Sequence, residues 1–221
     1  SDAHTRYLLR CQGLDGRTGC EQIRPIFDAA FRQFGLPAAM RTDNGAPFAS
    51  VGLAGLSALA VWWIKLGITP ERIEPGKPQQ NGRHERMHRT LKAEATRPPQ
   101  ANLRAQQRRF DRFVREYNEQ RPHEALGQKT PASLYERSPR AYPCPLLNLA
   151  DYPHGWIVRK VKHSGRIKWK GTVLHLSNAL TGEHVGLEPT DDGWWNIWFG
   201  ALLLARLDER GMRIVAEKKK K

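Results

Sequence analysis

The stretch PGKPQQNGRHERMHRTLK, residues 75–92, decides the fold once it is paired with RTDNG at 41–45. Its first eight residues mix Pro, Gly, Gln and Asn, which punctuate a chain rather than sustain a helix or strand, so 75–82 reads as a loop. From Arg83 a strongly charged helix, RHERMHRTLKAEA, begins with Glu85 in its opening residues, and Pro98-Pro99 breaks it. Alone, that helix is a solvated surface element with Glu–Arg pairs at helical spacing. Upstream, AAMRT (38–42) is a short strand running into Asp43-Asn44-Gly45. A carboxylate where a strand ends is the usual place for a catalytic group in an α/β sheet. Asn-Gly taken alone is also a tight-turn signal.

Working outward, HTRYLLRCQ (4–12) reads as a strand, and LDGRTG after it as a turn around Asp15-Gly16. Ile23, Ile26, Phe27, Ala30, Phe31 and Phe34 recur at steps of three and four, predicting a helix over 22–34 stopped by Gly35 and Pro37. A second helix is expected over 53–66, with Leu53, Leu56, Leu59, Trp63 and Leu66 inward and Gly67 as its stop; ITPERIE (68–74) is the next strand. Residues 102–120 form a further helix with Leu103, Phe110, Phe113, Val114 and Tyr117 as its apolar stripe. After 141 the texture changes. A Pro-rich linker (141–155) leads to short β-rich runs, WIVRKV, RIKWKGTVLHLS, HVGLEP, WWNIWF and LLLARLD, which predict a small barrel-like module. The domain expectation is therefore a first domain at 1–140, the linker 141–155, a β module at 156–215 and a basic tail at 216–221.

The charge balance points to a polyanion. Thirty-six Lys+Arg against 22 Asp+Glu leave a net charge of +14 in 221 residues, and cations that neutralise phosphates release condensed counterions. No apolar run of about 18 residues suggests a membrane span, and the opening SDAHTRYLLR lacks the basic start and apolar middle of a signal peptide. Cys11, Cys20 and Cys144 are odd in number and lack CxxC spacing. They read as small buried apolar side chains in a reducing, cytoplasmic setting rather than as a zinc site or a disulfide framework.

The order of these signals resembles the retroviral integrase superfamily, in particular the DDE transposases of bacterial insertion sequences. RTDNG, PQQNGRHERMHRTLK and YNEQRPHEALGQKTPASLY (117–135) carry the resemblance, which runs from about residue 2 to 140. It implies an RNase H-like integrase core followed by a small all-β C-terminal domain. Its implied activity is DNA cleavage and strand transfer with two Mg²⁺ (or Mn²⁺) ions held by two Asp and one Glu. Asp43 matches the second Asp and Glu85 the Glu; 41 residues (44–84) separate them, more than the family spacing, and VGLAGLSALAVWW takes up the excess. The chemistry is consistent with the ligands: two ions about 4 Å apart activate the nucleophile and stabilise the leaving oxygen, and Mg²⁺ needs only hard oxygen donors.

The first Asp of the trio, which bridges the ions in that family, has no match. Asp2 fits the family's Asp-x-x-Ser/Thr-Arg-Tyr turn instead, so the first strand is expected upstream of Ser1, with an end-reading helix-turn-helix, and the chain is expected to be an N-terminally truncated, inactive form. The alternative is a non-catalytic DNA-binding remnant; an RNase H-type nuclease is disfavoured by the YN..RPH segment and the β-rich end. Whether the chain is an enzyme stays open at this point. Expected DNA contacts are Asn44, Gln79, Gln80, Asn81, Arg83, His88, Arg89 and Lys92, with Lys168 and Lys170 on the β module. Asn44 equally serves the turn alone. His88 reads as a DNA contact or outer-sphere donor rather than a metal ligand. Arg108, Arg109, Arg112 and Arg115 read as a solvated helix face, and Tyr117, Asn118, Arg121, Pro122 and His123 as structural. Trp169, Trp194, Trp195 and Trp198 have two readings, base-stacking surface or barrel core. The partners implied are double-stranded DNA and further copies of the chain, in a bacterial cytoplasm at the nucleoid.

Overall fold

The computed structural model describes residues 1–16, 18–43, 45–50, 52–73 and 82–216. Its helices are α1 (Cys20–Phe34), α2 (Ala58–Lys65), α3 (Gly82–Ala95) and α4 (Leu103–Glu119). Its strands are β1 (Ala39–Thr42), β2 (Thr69–Arg72), β3 (Ile157–Lys160), β4 (Arg166–Trp169), β5 (Thr172–His175), β6 (His184–Pro189), β7 (Trp194–Phe199), β8 (Leu202–Asp208) and β9 (Arg213–Ala216). Two compact units result, Ser1–Pro37 with Arg72–Tyr142, and Ala38–Glu71 with Pro143–Lys221. The class is mixed helix and sheet with a C-terminal antiparallel sheet, as the sequence predicted.

In the first unit the helices pack by their sequence stripes. Met87, Leu91 and Ala95 recur every four residues on α3 and meet Phe113 and Tyr117 of α4, with Leu8 beside them. Leu103 departs from expectation. It stands first in α4, directly after the Asn102 cap, and is 44% exposed. Arg109 ties the two helices together, its guanidinium donating to the carbonyls of Glu94 (2.7 Å), Arg97 (3.2 Å) and Pro98 (3.4 Å), where α3 runs out of internal partners. Tyr7 stacks on Tyr135 with centroids 4.2 Å apart, and Phe34 meets both edge-on.

The strand expected at 4–12 is not formed; a turn at 3–5 opens the segment and no strand follows. Side-chain amides of α4 occupy its backbone groups instead. Asn118 accepts from the Leu8 N–H (2.9 Å) and donates to the Leu8 carbonyl (3.1 Å). Eleven residues earlier, on the same helix face, Gln107 donates to the Cys11 carbonyl (2.9 Å) and accepts from the Gly13 N–H (2.9 Å). A primary amide offers one donor and one acceptor side by side, as a neighbouring peptide group does. Asn118 is 3% exposed, so Asn118→Ala leaves two buried backbone groups without partners, each costing about 1–3 kcal/mol. A loss of about 2–4 kcal/mol in urea unfolding followed by circular dichroism is expected; a loss under about 1 kcal/mol would show that the clamp contributes nothing.

In the second unit β1 and β2 pair, Thr69 N–H donating to the Ala38 carbonyl (3.0 Å) and Arg41 bridging to Glu71 (2.8 Å). The helix expected from 53 starts later, because Ser57 caps α2: its hydroxyl oxygen accepts from the Ala60 N–H (3.2 Å) and donates to the Phe48 carbonyl (3.0 Å). Leu59, Ala60, Val61, Trp62 and Trp63 are all buried, more than one apolar stripe accounts for, so α2 is enclosed on several sides. Leu56, Ala60 and Val61 share one hydrophobic core with Val161, Ile167, Trp169, Leu187, Phe199 and Leu207 of the β-rich half. Residues 38–71, which the sequence assigned to the first domain, thus build their core with the C-terminal strands.

Those strands form an antiparallel sheet in the order β3-β6-β7-β8-β9. The hairpin β4-β5 is separately hydrogen-bonded, with β4 beside β3 and β5 beside β9, a barrel-like closure across the sheet's two edges. RIKW alternates strictly: Arg166 and Lys168 outward, Ile167 and Trp169 inward. Tyr152, in the expected linker, is pinned to the module. Its hydroxyl meets the carbonyls of His184 (3.1 Å) and Trp198 (3.2 Å) and accepts from the Gly200 N–H (3.1 Å). Cys144 is exposed rather than buried. β9 was missed in the sequence because RIVA is short and follows a turn with no Pro or Asn to announce it.

Candidate metal and nucleic-acid site

Asp43 directly follows β1 in the second unit and is exposed. Its Oδ1 accepts from the Gly45 N–H at 3.1 Å, an Asx-type contact that orients the carboxylate. Glu85 lies in the first turn of α3 in the first unit, exposed, on the side of the helix turned away from Met87, Leu91 and Ala95. Both are hard oxygen donors of the kind Mg²⁺ takes, and they are two of the three carboxylates the resemblance implies. Among the described residues no group of three or more His, Cys, Asp or Glu converges as a metal site. Asn44, Gln79, Gln80 and Asn81 lie outside the described residues.

The charged surroundings of Glu85 are on the same helix. Arg83 reaches back to the Ala3 carbonyl (2.8 Å), while Arg86, Arg89 and Lys92 are exposed. His84 and His88, one turn apart, place their Nε2 atoms 2.9 Å from each other. Although His88 is exposed as a residue, partial desolvation of its ring, and secondarily the Lys92 charge, push its pKa below the usual imidazole value, which favours its neutral form near pH 7.

Asp2 is a turn residue. Burial works to raise its pKa, but hydrogen bonds from the Thr5 hydroxyl and N–H (both 2.6 Å) and the His4 N–H (3.1 Å) outweigh that and hold it below the usual carboxylate value. Among the described residues, the hydrogen bonds to its Oδ1 all come from its own turn. The Cys11 thiol, pushed up to about 11 by burial, is not a nucleophile at neutral pH.

Basic side chains also gather on α4. Arg104, Arg108, Arg112 and Arg115 are all exposed and fall within one narrow arc of the helix, a stripe running its length. Only the three-dimensional helix separates these from Arg109, which turns inward to the end of α3. On the β module, Lys168 is exposed, and Lys170, at the tip of the β4-β5 hairpin, pairs with Glu209. The tryptophans are held in the module. Trp169 is 1% exposed and meets Trp195 edge-on, Trp195 donates to Glu209 (3.1 Å), Trp198 donates to Glu188 (2.8 Å), and Arg206 covers Trp194. The barrel-core reading therefore holds for Trp169.

Two families match the sequence. Residues 66–131 match the integrase core domain, a range that includes Glu85 and begins after Asp43, and residues 157–214 match the C-terminal domain of the IS481 family transposases. Among curated proteins, the chain is 35% identical over 113 residues to the insertion element IS407 uncharacterized 31.7 kDa protein of Burkholderia multivorans, covering 51% of this chain and 39% of that one. It is 35% identical over 121 residues to the insertion element IS476 uncharacterized 39.2 kDa protein of Xanthomonas euvesicatoria, covering 54% and 33%. The chain thus spans a third to two fifths of these relatives' lengths. A chain in the cryoEM structure of a simian T-cell lymphotropic virus intasome in complex with PP2A regulatory subunit B56 gamma aligns at 18% identity and TM-score 0.45, over 93% of this chain and 67% of that one. Among the described residues no helix is long and apolar enough to cross a membrane.

Proposed function

We propose metal-dependent DNA cleavage and strand transfer, with Asp43 and Glu85 as carboxylate ligands, for this chain, whose residues 66–131 match the integrase core domain and 157–214 the C-terminal domain of IS481 family transposases. The observation that supports this most directly is their placement: an exposed Asp at the end of β1 and an exposed Glu in the first turn of α3, the latter beside Arg83, Arg86, Arg89 and Lys92. When bound, Mg²⁺ or Mn²⁺ would supply an activated oxygen nucleophile and a stabilised leaving 3′ oxygen. The chain's own residues do the rest. The Gly45 N–H fixes one oxygen of Asp43 and so orients the carboxylate. Glu85 stands on a helix whose core stripe sets its direction. Arg89, Lys92 and His88 offer donors to backbone phosphates, with Arg83, Asn44, Gln79, Gln80 and Asn81 in the same role. The protein acts on double-stranded DNA as an oligomer of this chain.

Residues 1–221 supply two of the trio's carboxylates. In end-cleavage and strand-transfer assays with Mg²⁺ or Mn²⁺, this chain by itself is expected to show no turnover while still binding the substrate. Where a longer protein containing it is active, Asp43→Asn or Glu85→Gln is expected to lower turnover by at least about a thousandfold, the cost of about 4 kcal/mol of lost transition-state stabilisation. Robust cleavage by residues 1–221 that survives both substitutions would overturn the assignment. DNA binding by a longer protein without any turnover favours the second reading, a non-catalytic DNA-binding remnant, whose supporting observation is that the basic surfaces on α4 and the β module need neither carboxylate.

A further inference from the structure

His84 and His88 occupy positions i and i+4 of α3, both exposed, with Nε2 atoms 2.9 Å apart and ring planes at 72°. At that distance one Nε2 carries the proton and donates it to the other, along the line between the two nitrogens. The same separation suits an ion in place of that proton. Two imidazole nitrogens about 2.0–2.1 Å from a metal are about 2.9 Å apart when they subtend about 90°, and about 3.3 Å apart at the tetrahedral angle. Met87 and Leu91 anchor the helix to the core, and the i, i+4 spacing keeps the two histidines on neighbouring positions of one face.

We propose that His84 and His88 form a two-imidazole site for a borderline transition ion of the Cu²⁺, Ni²⁺ or Zn²⁺ class, with water in the remaining positions. Imidazole suits these ions and Mg²⁺ does not prefer it, so the site is chemically separate from the carboxylates proposed above. Arg83, Arg86, Arg89 and Lys92 on the same helix oppose a dication, and coordination strength therefore ranks the ions, Cu²⁺ ahead of Ni²⁺ and Zn²⁺. Residues 84–88 also spell His-Glu-x-x-His, in which zinc hydrolases use the Glu to activate an ion-bound water. Those enzymes need a third ligand, and among the described residues none completes the set; binding, not hydrolysis, is the inference. An ion here adds positive charge beside Glu85, a consequence that rests on the proposed function, whereas binding itself does not.

The test is titration of the 221-residue chain with Cu²⁺ and Ni²⁺ near neutral pH by calorimetry, with the electron paramagnetic resonance spectrum of the Cu²⁺ complex. One ion per chain and a splitting pattern from two nitrogens are expected, with no competition from excess Mg²⁺. His84→Asn and His88→Asn, both at exposed positions, are each expected to weaken binding by more than the roughly 10–100-fold that loss of an outer-shell partner costs. Undiminished affinity in the double variant would overturn the site, placing the ions on other His or Cys residues. Should a variant lose its helical signal, the spectrum of the unaltered chain still decides, since fewer than two nitrogen ligands rejects the chelate.

Discussion

Binding of duplex DNA to residues 1–221 is expected to fall by about a thousandfold or more between roughly 50 and 200 mM salt, as for a protein that neutralises ~6–10 phosphates. The expectation starts from the net charge of +14 and from where the structure places it. On α4, Arg104, Arg108, Arg112 and Arg115 form an exposed stripe about one helical turn per step; on α3, Arg86, Arg89 and Lys92 are exposed; on β4, Arg166 and Lys168 point outward. Log affinity should be linear in log salt with a slope of about −0.9 per neutralised phosphate. Replacing all four α4 arginines by Ala should lower the slope by up to about four units, and Lys168→Ala by about one. Lys170→Ala should lower it by less, because Glu209 already holds that ammonium and must release it before a phosphate can take its place. Affinity should drop alike for all duplex sequences, since backbone contacts position a protein without reading bases. A slope near zero, or one indifferent to the arginine stripe, would reduce the charge to a solvated surface.

Gly165→Ala is expected to destabilise the second unit by about 3–5 kcal/mol, while Gly171→Ala, six residues on, costs only about 1–2 kcal/mol. Both glycines have positive φ, 68° and 88°, a region in which a Cβ is strained. They differ in what surrounds them. A Cβ on Gly171, in the turn between β4 and β5, meets nothing within 4 Å, whereas one on Gly165 would lie 2.3 Å from the Ser177 carbonyl carbon and 2.5 Å from the Asn178 nitrogen. Those are backbone atoms and cannot swing aside. The Gly165 carbonyl also accepts from the N–H groups of Leu176 (2.7 Å) and Ser177 (3.2 Å), so a shift that relieved the clash would break the join between β5 and the turn before β4. Chemical unfolding of each variant, followed by tryptophan fluorescence of the module, measures the difference. Equal effects at the two positions would mean that conformational strain, not contact, sets the cost.

Much of the secondary structure follows from signals that act over a few residues. The steps of three and four over 22–34 became α1 and the break at Gly35 held, because burying one stripe of a helix needs no knowledge of what covers it. The RIKWKGTV hairpin was equally local: alternation sorts Ile167 and Trp169 from Arg166 and Lys168, and the Lys170-Gly171 tip turns the chain. The strand ending before Asp43 and the helix that opens around Glu85 were legible for the same reason, and so was the family resemblance, carried by short motifs and now joined by the integrase core and transposase C-terminal matches.

What the sequence by itself determined about this protein, then, is the set of elements, the positions of Asp43 and Glu85 at a strand end and a helix start, and the basic character of the surface. Only the tertiary structure decided which elements share a core. LSALAVWW is apolar on nearly every side, a pattern that demands burial without naming a partner, and the partner is the β-rich half rather than the neighbouring helices in sequence. It also decided that Tyr7–Gln12, apolar enough for a strand, would be met by the amides of Gln107 and Asn118, groups about 100 residues away. Pairing between distant residues is not encoded in any window of the chain. It is selected by which arrangement leaves the fewest buried polar groups unsatisfied and the least apolar surface in water.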